Sequence, residues 1–252
     1  REYNVYVRNN SSDQNYYPSI VPKPIKIEKE LCSYYLKFVH DNNKHNDYTE
    51  YKIEFHRKTI IDILIIGGGG GGARRMAGGG GAGTMIYDKN VELDPGTYII
   101  RVGRGGEGSY VSGDLVNDTV IHIGQEVDNK RGGSGKPSKF IKDGKVFYYA
   151  DGGSGGIGGV NDTYYPSKNL VLNGGSGGGG GAGPNSFGGL LSEKNIVRGE
   201  KVKVINNTLT KNNGLPYYDN DKCFGNKGGD GRRSSSIYHG GGGGGAGGPG
   251  GD

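Results

Sequence analysis

Every one of the 54 glycines in this 252-residue chain lies after residue 66. They come in runs, Gly67–Gly72, Gly78–Gly81, Gly177–Gly181 and Gly240–Gly245, with shorter pairs between them. Such runs carry no side chains to fill a core, and each glycine costs a helix interior about 1 kcal/mol relative to alanine. Regular helices are therefore not expected beyond residue 66. The remaining sequence is rich in Asn, Lys, Ile and Tyr, the bias of AT-rich coding, whereas glycine codons are GC-rich. Something other than codon drift holds the glycines in place.

Between the runs the sequence reads as strands. Tyr51–Phe55 alternates as a half-buried strand does. Ile60–Ile66 is a β-branched run that reads as a strand buried on both faces and leads straight into Gly67. Asp94-Pro95-Gly96 is a turn, and Thr97–Val102 is a strand that ends at Gly103. Shorter candidates are Val5–Val7, Ile25–Ile27, Tyr34–Val39, Val120–Ile123 and Val202–Ile205. Pro18, Pro22 and Pro24 keep residues 1–46 extended. The chain divides into that N-terminal segment, a potential anchor, and a glycine-rich domain over 47–252.

Three readings of the glycine compete. A dinucleotide site needs a helix directly after the glycines to hold the pyrophosphate. Here Ala73–Ala77 and four more glycines follow, and no Gly-Lys-Ser/Thr occurs after any run. A flexible linker would not alternate with buried strands, and the strict third-position repeat of collagen is missing. The preferred reading is an ordered bundle of polyglycine II helices, with three residues per turn and about 3.1 Å rise. Lacking Cβ atoms, such helices can approach closely and satisfy one another's N–H and C=O groups. One isolated run could not offset its backbone entropy, but several packed together could. A core made of backbone also accounts for an apolar content of only 32%. The expected fold is all-β: sandwich-like strands with an inserted polyglycine II bundle and little or no α-helix.

The motif order resembles a known family. Tyr51–Phe55, then Asp62–Ala73, Ala77–Gly83 and Pro95–Gly106 resemble the glycine-rich domain of virion proteins of large DNA viruses and of phage tail-fibre or adhesin proteins. The stretch from Lys136 to Gly156 is similar to a second element of that pattern: a Ser-x-Phe strand, an Asp-Gly turn and a strand into glycine. The resemblance covers roughly residues 50–252. It extends to the glycine-rich ectodomain of anaplastic lymphoma kinase-type receptors, which implies a tumour-necrosis-factor-like sandwich with polyglycine helices between strands. This sequence lacks the receptors' multiple cysteines and any kinase or membrane segment. The pattern implies a closing strand after the last glycine run, so that strand is expected to be missing or supplied from elsewhere.

No chemistry of catalysis or metal binding emerges. His40, His45, His56, His122 and His239 show no ligand spacing, and no enzyme activity or cofactor is expected. Nothing in the spacing of Cys32 and Cys223 says whether they pair. The net charge of +5 is thinly spread, so nucleic acid is not expected as a partner, and no apolar run reaches transmembrane length. Loops between rigid tracts are the candidate binding residues. These are Arg74, Arg75 and Met76; Tyr164 and Tyr165; Tyr217 and Tyr218; and Arg232, Arg233 and Tyr238. The resulting expectation is a non-enzymatic virion component (minor capsid, fibre or host-attachment protein) with an extracellular, particle-bound location. Its partners would be other virion proteins in a homo- or hetero-oligomeric assembly, and a host surface glycan or protein. The alternative is the ligand-binding ectodomain of a cell-surface receptor.

Overall fold

The computed structural model describes residues 3–8, 17–18, 35–43, 45–74, 77–109, 131–158, 174–182, 187–190, 192, 194–202, 222–234 and 237–251. The protein is all-β, with no helix among these residues. The strands are β1 (Tyr3–Arg8), β2 (Tyr17–Pro18), β3 (Tyr48–Phe55), β4 (Thr59–Ile66), β5 (Met85–Leu93), β6 (Gly96–Gly103) and β7 (Ser138–Lys142). They continue with β8 (Lys145–Ala150), β9 (Ile196–Val197), β10 (Glu200–Lys201), β11 (Cys223–Phe224), β12 (Arg232–Ser234) and β13 (Ile237–His239). An eight-stranded sheet has the order β10-β9-β8-β7-β6-β3-β1-β2, and a three-stranded sheet has the order β11-β5-β4. All pairings are antiparallel.

The two sheets enclose one apolar core. Ile53 and Phe55 of β3, Tyr98 of β6, Phe140 of β7 and Tyr148 of β8 face Ile63 and Ile65 of β4 and Ile86, Val91 and Leu93 of β5. Its centre is aromatic. Tyr98 stacks on Phe140 at 5.1 Å between centroids and meets Phe55 edge-on at 5.5 Å. Such pairs contribute about 0.5–1.5 kcal/mol beyond the area they bury.

One end of the sandwich is closed by short turns. Residues 56–58 link β3 to β4, and Asp94-Pro95 links β5 to β6. Asp143-Gly144 joins β7 to β8 with both φ angles positive, 49° and 74°, as the right-handed strand twist favours. At the other end β4, β6 and β8 each run into glycine, and β5 and β7 each emerge from it. The glycine tracts are therefore gathered at a single pole by the strand topology.

Two sequence expectations change. Ile60–Ile66 does form β4, but only one face is buried: Ile60, Leu64 and Ile66 are 51%, 59% and 50% exposed. The small sheet has the core on one side and solvent on the other. A run apolar at almost every position hides that alternation. Residues 35–43 form no strand, in contrast to the reading of Tyr34–Val39. β3 already has β6 on one edge and β1 on the other, so no edge is free for them. They lie against the core instead, where Phe38 meets the Tyr51 ring at 5.1 Å and Asp41 N–H donates to Thr49 Oγ1. Ile25–Ile27, Val120–Ile123 and residues 203–205 lie outside the described residues, and Val202 follows β10 without joining a strand.

Candidate functional site

The pole opposite the turns is a lattice of backbone. Gly67 and Gly70 donate to Thr84 O and Gly81 O at 3.0 and 2.8 Å, and Ala73 continues the series to Gly78 O. Gly68 and Gly71 donate to a second neighbour, Lys136 O and Gly133 O, both at 2.9 Å. The carbonyls of the same two residues accept from Gly153 and Gly156, and those of Gly69 and Gly72 accept from Gly106 and Ser109. Each contact recurs after three residues, whereas a strand repeats after two. The same step of three links Gly78, Gly81 and Thr84 to Ile157, Ser154 and Asp151, and Gly177 and Gly180 to Asn226 and Gly229. One tract thus serves several neighbours at once.

Glycine is required here for space rather than for backbone freedom. Among the described residues only Gly96, Gly144 and Gly199 are glycines with positive φ, and all three sit in turns. In the tracts a Cβ would collide with backbone: 2.0 Å from Glu107 O at Gly71, 1.8 Å from Gly71 O at Gly132, 1.7 Å from Gly189 O at Gly177. Gly69 and Gly72 differ, being exposed and offering a Cβ nothing closer than 3.9 Å. Every residue from 174 to 182 is buried, though none has a side chain larger than serine.

Small polar side chains pin the lattice where backbone partners run out. Ser154, Ser176 and Asn226 are fully buried. Ser154 Oγ accepts from Gly178 N–H, Ser176 Oγ accepts from Asn226 N–H at 3.2 Å, and Asn226 Nδ2 donates to Gly245 O at 2.7 Å. Leaving such buried groups unpaired would cost about 1–3 kcal/mol each.

A buried ionic node ties the two sheets together. The Asp88 carboxylate of β5, with no exposed surface, accepts from Arg198 Nε at 2.6 Å and Arg198 Nη2 at 3.0 Å, and from Tyr148 Oη at 2.8 Å. Lys222 Nζ lies 2.9 Å away. Burial pushes the carboxyl pKa up, but the bonds from Arg198, Lys222 and Tyr148 outweigh it and hold the group below its ordinary 3.8. Burial and the same carboxylate push the Tyr148 hydroxyl up, so it stays a donor. No motif or spacing in the sequence points to this site. Its members are separated by up to 134 positions, from Asp88 to Lys222, and Asp88, Lys89 and Asn90 interrupt the apolar residues of β5, which hides its strand pattern.

The family model of the glycine-rich domain matches residues 46–252. The chain belongs to the glycine-rich domain family. Comparison with curated proteins and with solved structures gave no match. The family match takes in both the sandwich, from just before β3, and the whole backbone lattice.

Within this glycine-rich domain the sequence-predicted binding residues fall in separate places. Arg232, Arg233 and Tyr238 come together: β12 and β13 pair as a hairpin in which Arg233 opposes Tyr238 and Arg232 opposes His239. Arg74 stands at the end of the first glycine tract and is partly buried. Arg75, Met76, Tyr164, Tyr165, Tyr217 and Tyr218 lie outside the described residues. Cys223 is a free thiol, buried in the core, and that burial pushes it up to about 12. No helix among the described residues is long and apolar enough to cross a membrane.

Proposed function

We propose that this glycine-rich domain is a non-enzymatic structural component of a virus particle, a minor capsid, fibre or host-attachment protein. Its glycine tracts are polyglycine II helices packed as a rigid backbone core. The observation that carries the reading is the hydrogen-bond step of three, combined with tract positions such as Gly71, Gly132 and Gly177 that have no room for a Cβ. That arrangement supports a module resistant to local opening, because the backbone groups a protease must extract are already paired. Rigidity suits assembly or projection from a particle. The viral context rests on the order of the motifs Asp62–Ala73, Pro95–Gly106 and Lys136–Gly156, and on glycines retained against an AT-rich background. Partners are then neighbouring particle proteins and a host surface ligand.

The test is quantitative mass spectrometry of purified particles and of host membranes from the source material. A fixed stoichiometry with capsid or fibre proteins is expected. Recovery only from membranes, within a longer chain, would replace this reading with a receptor ectodomain.

A further inference from the structure

The outer face of the large sheet, opposite the apolar core, places two cations side by side. Arg101 of β6 and Lys139 of β7 are direct cross-strand partners. Like charges directly opposite one another destabilise a sheet. Arg101 is partly compensated: its Nε donates to Glu50 Oε2 at 2.6 Å, and its guanidinium lies 4.7 Å from the centre of the Tyr48 ring. Lys139 has no carboxylate partner among the described residues. Its Nζ stands 5.3 Å from the centre of the Tyr149 ring, an attraction that leaves its positive charge without a counter-charge. By contrast Lys136, Lys142, Lys222 and Lys227 each have an aspartate within 3.5 Å. Burial and the neighbouring Arg101 both push the Lys139 pKa down. In the free protein, then, β6 and β7 hold a repulsion that an anion would relieve.

We infer that Arg101 and Lys139, bordered by Tyr48 and Tyr149, form a binding site for the acidic group of a saccharide, a carboxylate or sulfate ester. The geometry favours a saccharide over an extended peptide. β6 and β7 are interior strands with neighbours on both sides, so no backbone edge is open for strand addition. What the face offers is side chains: Arg101 Nη1 and Nη2, the Lys139 ammonium, and half-buried tyrosines with apolar rings and polar tips. Tyr149 Oη is itself held 3.4 Å from Asp151 Oδ1, which fixes the ring beneath Lys139. The inference rests on the attachment reading for the origin of the ligand, while the site stands on its own geometry.

The experiment uses the full 252-residue chain and its Lys139→Gln variant. Calorimetric titration would employ a sulfated oligosaccharide, a polyuronate oligosaccharide carrying carboxylates only, a neutral dextran and a polyglutamate peptide. Binding of the sulfated or the uronate probe is expected, weakening with salt and falling about tenfold or more in Lys139→Gln. Which probe binds more tightly separates sulfate from carboxylate. The unliganded variant should melt no lower than the wild type, because the substitution removes a repulsion. A Tm lowered in the free variant would mean Lys139 is structural and would overturn the site. So would binding that survives the substitution, absence of binding by both acidic saccharides, or preference for polyglutamate. If the saccharide binds but the protein is absent from particles, the attachment reading fails and the site remains. If the protein is in particles and neither probe binds, the reverse holds.

Discussion

The two ends of this molecule solve the same problem with opposite materials. In the sandwich, side chains fill the space and backbone is confined to ladders: Tyr98, Phe140 and Tyr148 are buried between the sheets. In the glycine pole the backbone is the filling and most of the adhesive, with Ser154, Ser176 and Asn226 as small polar pins, and at most tract positions a side chain has no room. Side-chain cores tolerate volume-conserving exchange. A backbone core has no smaller residue to fall back on, so its tolerance depends on whether a given Cβ has somewhere to go. The comparison predicts that the sandwich responds to truncation and the lattice to addition.

The largest effect should come from emptying the sandwich. Phe140→Ala should lower unfolding stability by about 3–5 kcal/mol in denaturant titration, since it removes the ring between Tyr98 and Tyr148. A loss under 1 kcal/mol would mean the lattice, rather than the sandwich, supplies most of the cooperativity.

Next is the node that clamps the sheets. Asp88→Asn should cost about 2–3 kcal/mol, less than for a fully enclosed pair because Arg198 and Lys222 still reach solvent. The sign of its pH dependence follows from the direction of the shift. Asp88 is held below its ordinary 3.8, so its contribution is complete above that value and is lost as pH falls through the folded-state value. The gap between wild type and variant should therefore narrow in acid. A gap that stays constant down to full protonation would show that packing, not charge, holds the clamp.

Smaller, and aimed directly at the lattice, is a pair of adjacent substitutions. Gly71→Ala meets Glu107 O at 2.0 Å and should cost about 1–3 kcal/mol, whereas Gly72→Ala meets nothing and should stay within about 0.5 kcal/mol. Neither has a positive φ, so the difference isolates the Cβ. Equal effects would remove the basis for a close-packed backbone core.

The finest test changes no residue. Amide exchange at Gly70, Gly81 and Gly179, which donate to Gly81, Ser154 and Gly79 carbonyls at 2.8 Å, should be as slow as in β3 and β6. Rapid exchange there, beside protected strands, would reduce the glycine pole to a tethered loop region.

Much of the fold could be read directly. The alternation of Tyr51–Phe55, the Pro-Gly turn before Thr97 and the entry of Ile66 and Val102 into glycine place β3, β4 and β6 where they are found. β5 escaped because a strand that buries an aspartate does not look like one until Arg198 and Lys222 are seen beside it. The exposed face of β4 escaped for the converse reason: Ile60, Leu64 and Ile66 look buried wherever they stand. Of the loop residues singled out, only the Arg232, Arg233 and Tyr238 group is seen to be brought together, and there the hairpin is local in sequence.

Composition and order by themselves determined that this chain is all-β, that α-helix is disfavoured across the glycines, and that it belongs with glycine-rich domains. Those conclusions depend on backbone propensity and short-range pattern, which act over a few residues. Only the tertiary structure decided which glycines have no room for a Cβ, as between Gly71 and Gly72, and which charges meet, as at Asp88 and at Arg101 with Lys139. Those depend on the register of tracts and strands brought together from across the chain. A step of one residue in that register changes every neighbour a position meets.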